Sequence, residues 1–512
     1  MSADQAGSDE PTRPLAATYA VAFLCATLLP IVRMGCGATS DGAARELRRA
    51  ERAPKLTAKP ASWLSYPERF EDWYANEFGF RDELVREHNR IKWLRLRSSP
   101  VEKVICGEKG WVFYNARRAL DQLRGAAPFE PEQLAAWVEL LTERRDWLEE
   151  RNAHYLFAIA PSKGSIYPEF LPAGYETVGN ARFDQLEAAA REAGIEFLDL
   201  RASLRDEKRN DRGGDYTYFP LGTHWTQRGA LRAWREIVRA VPEVFAHGPA
   251  PLEELRRVLH TDEQGDSWGT RLYLEEELRQ EVWTLSLGPA PTSTDLEYSR
   301  QGMRFHTILT DASGRPPKVM MFHDSFGSTL RSLLARSCSE LTSFWRYAWE
   351  LATIESEAPD LVIDLFVERA LVTASPEKLR LRPQEELRAL FDAAGPSLWR
   401  MPGGPDSARW LPVDGLEQYS AVDLGVLPGE GLEALLVRAE VEHEMGGVLE
   451  LAFGSRTKAS LRRRTQRALA GPGRSLVYFN LEASLAPSQA ILGSEQDGWQ
   501  VHSIEARRAE AP

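Results

Sequence analysis

The chain has 512 residues, 43% of them hydrophobic and 27% charged, with 15 Trp and 14 Tyr, a composition that fits several folded units of about 150 residues each and excludes a disordered chain. Its formal charge of −12 excludes a phosphate-tracking groove, and with it a nucleic-acid partner, because such binding draws on concentrated Lys and Arg. Cys25, Cys36, Cys106 and Cys338 form no CxxC pair, which excludes a zinc site and a disulfide framework and leaves a lone Cys106–Cys338 bridge open. No metal or other cofactor is implied.

The first element is the uncharged run LAATYAVAFLCATLLPIV at 15–32, at the lower end of the roughly 17–25 residues that span a hydrocarbon core. It predicts a signal anchor, with 1–37 as cytoplasmic tail and membrane helix and the Ala-, Arg-, Lys- and Pro-rich 38–62 as linker. Arg33, Arg45, Arg48, Arg49 and Arg52 follow it and only Arg13 precedes it, the reverse of the usual charge bias for export, although long domains translocate regardless.

From Trp63 to Leu96 the spacing of Phe70, Trp73, Phe78, Leu84, Ile91 and Leu94 predicts one or two amphipathic helices broken near Gly79. VICGEKGWVFYN (104–115) reads as a hairpin, and 131–150 as a helix with Leu134, Trp137, Leu140, Leu141 and Trp147 on one face. Apolar strands at 154–160, 195–200, 318–322 and 360–366 alternate with helices at 181–193, 227–240 and 326–337. Continuous apolar strands alternating with helices are the pattern of a parallel sheet covered on both faces. An α/β domain is therefore expected over 63–395, its sheet beginning near 100 and interrupted by a polar insertion at 250–305. Beyond it, ALLVRAEVEHE, GVLELAFG, RSLVYFNLEA and QVHSIEAR alternate apolar and polar residues between Gly-rich turns, which predicts a separate antiparallel β-sandwich over 405–512. Its Trp410, Tyr419 and Trp499 fit a sandwich core or a sugar platform.

Two stretches carry chemistry. In VMMFHDSFGSTL (319–330) an apolar strand ends at Ser325 and turns into a helix, presenting a hydroxyl where helix N-terminal amides stabilise an oxyanion, or where Asp and Ser merely cap the helix. In YFPLGTHWTQRGA (218–230), His224 stands in a loop just before a helix. A loop histidine and a strand-end serine on one sheet edge, where open α/β folds keep their sites, point to acyl transfer.

The ordered landmarks FEDWYANEFGFRDELV (70–85), VICGEKGWVFY (104–114), PSKGSIYPEFLP (161–172), THWTQRGA (223–230), GDSWGTRL (265–272), HDSFG (323–327) and PDLVIDLFVER (359–369) resemble the AlgJ/AlgX-type alginate O-acetyltransferases. The resemblance implies an SGNH-hydrolase-like domain, circularly permuted because the histidine precedes the serine, with Ser325 as nucleophile and His224 as base. It also implies a periplasmic location behind the membrane helix, a polysaccharide acceptor and an acetyl supply from a membrane O-acyltransferase partner. In two places the chain departs from the pattern. Gly222 stands where the family's D-x-H motif has its aspartate, and His323 replaces the glycine of Gly-Asp-Ser. Asp215, Glu368 and Asp199 are substitutes for the missing acid, whereas Asp324 should point to the opposite face of its strand. Lys163 and Trp225 are candidate substrate contacts. An acetyl esterase, or a glycan-binding scaffold subunit impaired by loss of its acid, are the alternatives to the transferase.

Overall fold

The computed structural model describes residues 12–35, 42–46, 53–56, 61–246, 248, 256–260, 265–286, 291–298, 304–310, 317–349, 351–401, 410–412, 420–427, 434–453, 465–482, 488–494 and 498–508. A seven-stranded sheet forms the centre, in the order Phe197–Asp199, His154–Ala160, Leu361–Val367, Lys318–His323, Glu340–Phe344, Arg304–Thr310, Thr292–Tyr298. The first five run parallel and the last two add on antiparallel. Part of the expected polar insertion thus becomes sheet. Its strand Thr292–Tyr298 and the following Arg304–Thr310 escape detection because threonines, charges and apolar residues mix in them without a continuous apolar run.

Leu361–Val367 lies mid-sheet with all seven residues buried. At its centre Asp364 takes a bond of 2.5 Å from Arg144 and one each from Tyr155 Oη and Trp349 Nε1. Arg144 belongs to the helix Pro131–Glu149, whose Trp137, Leu140, Leu141 and Trp147 pack on the sheet. Removing one partner of such a buried pair costs about 3–5 kcal/mol, because the other is left charged and dry.

Strands between 397 and 508 build a four-stranded and a five-stranded antiparallel sheet. Between them lies a core of Val437, Val441, Leu449, Leu451, Phe479, Leu492 and Ile504. Trp499 is buried there and donates to Ser494, and half-buried Trp410 packs on the same core; Tyr419 lies outside the described residues. Cys106 and Cys338 are both free thiols, so the bridge left open by their spacing is not made.

The N-terminal run is a helix, Thr12–Gly35, whose window Ala17–Met34 is long and apolar enough to cross a membrane. The amphipathic stretch forms the helices Tyr66–Glu77 and Arg81–Arg90, broken at Phe80, which takes a positive φ of 68°.

Candidate active site

The strand Lys318–His323 ends at the carboxyl edge of the sheet and leads into the helix Gly327–Leu334, with Ser325 in the turn. Asp324 pins that turn. Its Oδ1 accepts the Phe326 N–H at 2.8 Å, and its Oδ2 accepts the Val367 N–H at 2.7 Å and the Tyr347 hydroxyl. The carboxylate is therefore spent on the neighbouring strand. His323 is buried, with one ring nitrogen 2.6 Å from the Asp324 carbonyl and the other 2.6 Å from Ser343 Oγ. Burial pushes its pKa down to about 4, so it is a neutral structural group at pH 7. Its ring occupies the place a Cβ on Gly327 would need, 2.2 Å from the ring carbon Cγ, which explains the glycine there.

The second half of the site is the loop before the helix Gln227–Ala240. Thr226 caps that helix, its Oγ1 accepting the Gly229 N–H. Just ahead of the cap, His224 Nε2 lies 2.7 Å from Ser325 Oγ. Its other nitrogen, Nδ1, lies 2.7 Å from Oδ2 of Asp266. The same Oδ2 accepts the backbone N–H groups of Thr223 and His224 at 2.5 and 2.8 Å. Burial opposes ionisation of Asp266, yet the imidazole and the two N–H groups outweigh it and hold the carboxyl well below the usual carboxylate range. A charged acid thus faces Nδ1, which fixes Nδ1–H as donor and leaves the Nε2 lone pair for the serine.

Asp266 fills the space that Gly222 leaves. A Cβ on Gly222 would meet the Asp266 carbonyl oxygen at 2.0 Å and Oδ2 at 2.3 Å. Gln280 locks the two segments together, donating to the Asp266 carbonyl and accepting the Leu221 N–H, while the Trp268 N–H reaches the Leu221 carbonyl.

None of the three substitute acids proposed from the sequence reaches His224. Asp215 lies 3.6 Å from Arg228 Nε. Glu368 is buried and accepts from the Ser162 N–H and the Ser165 hydroxyl, and Asp199 pairs with Arg201. Nor are Lys163 and Trp225 open to a substrate. Lys163 is 4% exposed and gives its three protons to the carbonyls of Phe219, Pro220 and Gly222 at 2.7–2.9 Å. Burial pushes its pKa down to about 7, but three carbonyl acceptors require the three hydrogens of the ammonium form. Trp225 is buried and donates to the Phe326 carbonyl, tying the histidine loop to the nucleophile turn. The signal for Asp266 was present in GDSWGTRL, one of the family landmarks; a search confined to the neighbourhood of His224 passes over it.

Beside the triad, Arg369 lies over the rings of Phe326 and Tyr114, 5.4 and 5.3 Å from their centroids. Tyr114 stacks on Trp268, and the His224 ring is 5.0 Å from that of Phe326. Among the described residues the Arg369 guanidinium has no hydrogen-bond or ion-pair partner.

Residues 104–295 match the SGNH hydrolase-like domain of the acetyltransferase AlgX. This stretch is similar to an AlgX-type SGNH-like domain. The match includes His224 and Asp266 and ends before Ser325. The probable alginate O-acetylase AlgJ of Pseudomonas putida is 27% identical over 237 residues, 45% of this chain and 54% of that protein. The AlgJ of Pseudomonas aeruginosa is 29% identical over 130 residues, 25% of this chain and 30% of its own. The chain thus spans about half or less of the relatives it matches. Among solved structures, the O-acetyltransferase domain of Pseudomonas putida AlgJ matches with a TM-score of 0.37 at 17% identity, over 53% of this chain and 93% of that domain. AlgX of Pseudomonas aeruginosa matches with a TM-score of 0.38 at 13% identity, over 84% and 99%.

Proposed function

We propose that this protein is an O-acetyltransferase acting through an acetyl-serine on an acidic, alginate-like exopolysaccharide. The observation that carries the proposal is the continuous chain Ser325–His224–Asp266, with both links at 2.7 Å. Ser325 Oγ attacks the acetyl carbonyl of the donor as His224 Nε2 takes the hydroxyl proton. The oxyanion forms beside the Ser325 N–H at the strand-to-helix turn. Collapse expels the donor's leaving group, which takes the proton back from the imidazolium and leaves acetyl-Ser325. A sugar hydroxyl then gives its proton to Nε2 and attacks the acetyl carbon; the ester forms and Ser325 leaves reprotonated. Asp266 holds the Nδ1–H tautomer and stabilises the imidazolium in both halves. The unpaired guanidinium of Arg369 favours an anionic acceptor, because its five N–H donors match a carboxylate.

In this reading the catalytic unit spans 63–395, permuted relative to ordinary SGNH hydrolases, and 405–512 is an attached sandwich. The helix Thr12–Gly35 anchors the protein on the periplasmic side of the inner membrane, where a membrane O-acyltransferase delivers acetyl. The impaired-scaffold reading rested on Gly222 and His323; the Asp266 carboxylate at His224 Nδ1 and the structural role of the His323 ring support the enzyme instead. Incubation with a chromogenic acetyl ester should place acetyl on Ser325, read by peptide mass, and added uronate oligosaccharide should carry it away as a sugar ester. An unmodified Ser325, with the same background rate in Ser325→Ala, refutes the enzyme; acetate release with no sugar ester makes it an esterase.

A further inference from the structure

The helix Arg81–Arg90 turns its polar side to the protein, and apolar residues on it and on the segments flanking it stand outward. On the inward side Asn89 donates to the Leu272 carbonyl, Arg86 and Arg90 pair with Glu276 and Glu277, and Arg81 pairs with Glu46. On the outward side Leu64, Phe70, Leu84, Ile91 and Leu94 are 41–88% exposed. The rings of Tyr66, Phe70, Tyr74 and Phe78 form a ladder with 5.9 Å steps along the first helix, which buries none of its residues. A helix pair on a water-exposed surface has the opposite polarity.

The corner between the two helices touches the N-terminal helix. A Cβ on Gly79 would lie 2.4 Å from the Pro30 carbonyl oxygen, so the two backbones are in contact there. Arg33 pairs with Glu83 and lies 4.3 Å from the centroid of the Phe80 ring. The apolar window ends at Met34, and Pro30 precedes that end by one helical turn, about 6 Å at 1.5 Å per residue. If the N-terminal helix crosses a bilayer, the Phe78–Phe80 corner is held at the hydrocarbon boundary.

We infer that the helix pair Tyr66–Arg90 lies in the interfacial layer of the membrane that the N-terminal helix crosses, with Leu64, Phe70, Leu84 and Leu94 against lipid. This rests on the anchor reading above. Tyr and Trp rings favour the headgroup level, and Lys92, Arg95 and Arg97, which follow the second helix, supply cations for anionic lipid, their stems lying along apolar surface. Lipid, rather than a protein, is the occupant because the surface is continuous with the side chains of the N-terminal helix, whose Phe23, Leu28 and Val32 are more than half exposed. The catalytic unit is thereby held flat on the membrane from which its acetyl arrives.

The test uses the full chain with Cys25 and Cys36 changed to Ala, reconstituted in vesicles of phosphatidylethanolamine and phosphatidylglycerol. Leu64→Cys, Leu94→Cys and, as control, Val178→Cys, which is 63% exposed on the catalytic unit, are labelled with an environment-sensitive dye. The expected result is a blue shift and quenching by spin-labelled lipid at 64 and 94, and neither at 178. A carbonate-resistant chain in which 64 and 94 behave like 178 overturns the inference and leaves the anchor standing. A chain released by carbonate overturns both. Protection at 64 and 94 that appears only when a membrane O-acyltransferase is added also overturns it, in favour of a protein partner.

Discussion

The Cβ that Gly222 lacks would sit 2.3 Å from the Asp266 oxygen that faces His224 Nδ1. The missing aspartate of the motif and the carboxylate supplied from elsewhere are one arrangement, since either side chain fills the same space. Asp266→Asn should lower ester turnover by about 10²–10⁴-fold, with Ser325 still in place. Gly222→Asp alone should also fail, because its side chain collides with Asp266. The pair Gly222→Asp with Asp266→Gly should recover little of that activity, because the new Cβ still meets the main-chain carbonyl oxygen of residue 266, 2.0 Å away. A pair close to native activity would show that the two segments move apart and that the positions are interchangeable.

Lys163→Met should reduce kcat about 10–100-fold at nearly constant KM for the acceptor, since losing three carbonyl bonds at about 1 kcal/mol each loosens the loop that aims His224. A rise in KM with kcat intact would instead return Lys163 to the role of substrate contact expected from its loop position. Steady-state kinetics at several acceptor concentrations distinguish the two.

Acid should weaken the fold in two steps. His323, depressed from 6.5 to about 4 by burial, binds fewer protons folded than unfolded. Its stabilisation is therefore complete above pH 6.5 and falls by up to about 3 kcal/mol as pH drops towards 4. Asp266, whose folded pKa is also depressed, stabilises above the ordinary carboxylate value and loses that contribution only at lower pH. A series of Tm values from pH 7 to 4 should slope downward in the native protein and flatten in His323→Gln; a flat native series contradicts the neutral buried ring.

Arg369→Gln should raise KM for uronate oligosaccharides about tenfold or more, while hydrolysis of a small neutral acetyl ester changes less than twofold, because the guanidinium is held by ring faces and carries no partner that the fold needs. Equal losses with neutral and acidic acceptors would assign Arg369 to positioning.

The nucleophile and the base were legible because each sits at a local junction: an apolar run ending in Ser325, and a loop ending at the cap Thr226. The strand Leu361–Val367 and the helix Pro131–Glu149 were legible from apolar run and helical spacing. The acid was not, because nothing local marks a carboxylate whose partner is 42 residues away. Lys163 misled for a related reason: a loop lysine is usually solvated, and only the folded loop 219–222 shows where its three protons go. Leu84, Ile91 and Leu94 have the periodicity of a core face, yet stand exposed, since periodicity reports segregation of apolar residues and not what they meet.

Placing the acid on a distant segment changes how the site responds to heat. An aspartate two residues from its histidine is positioned by the turn itself, whereas Asp266 is held in register across a separation of 42 residues, an ordering cost greater by roughly 3 kcal/mol. The Gln280 and Trp268 bridges that offset this cost are local and can open on their own. Warming then detaches the acid before it melts the sheet, so the temperature at which turnover fails sits below the temperature at which the protein unfolds.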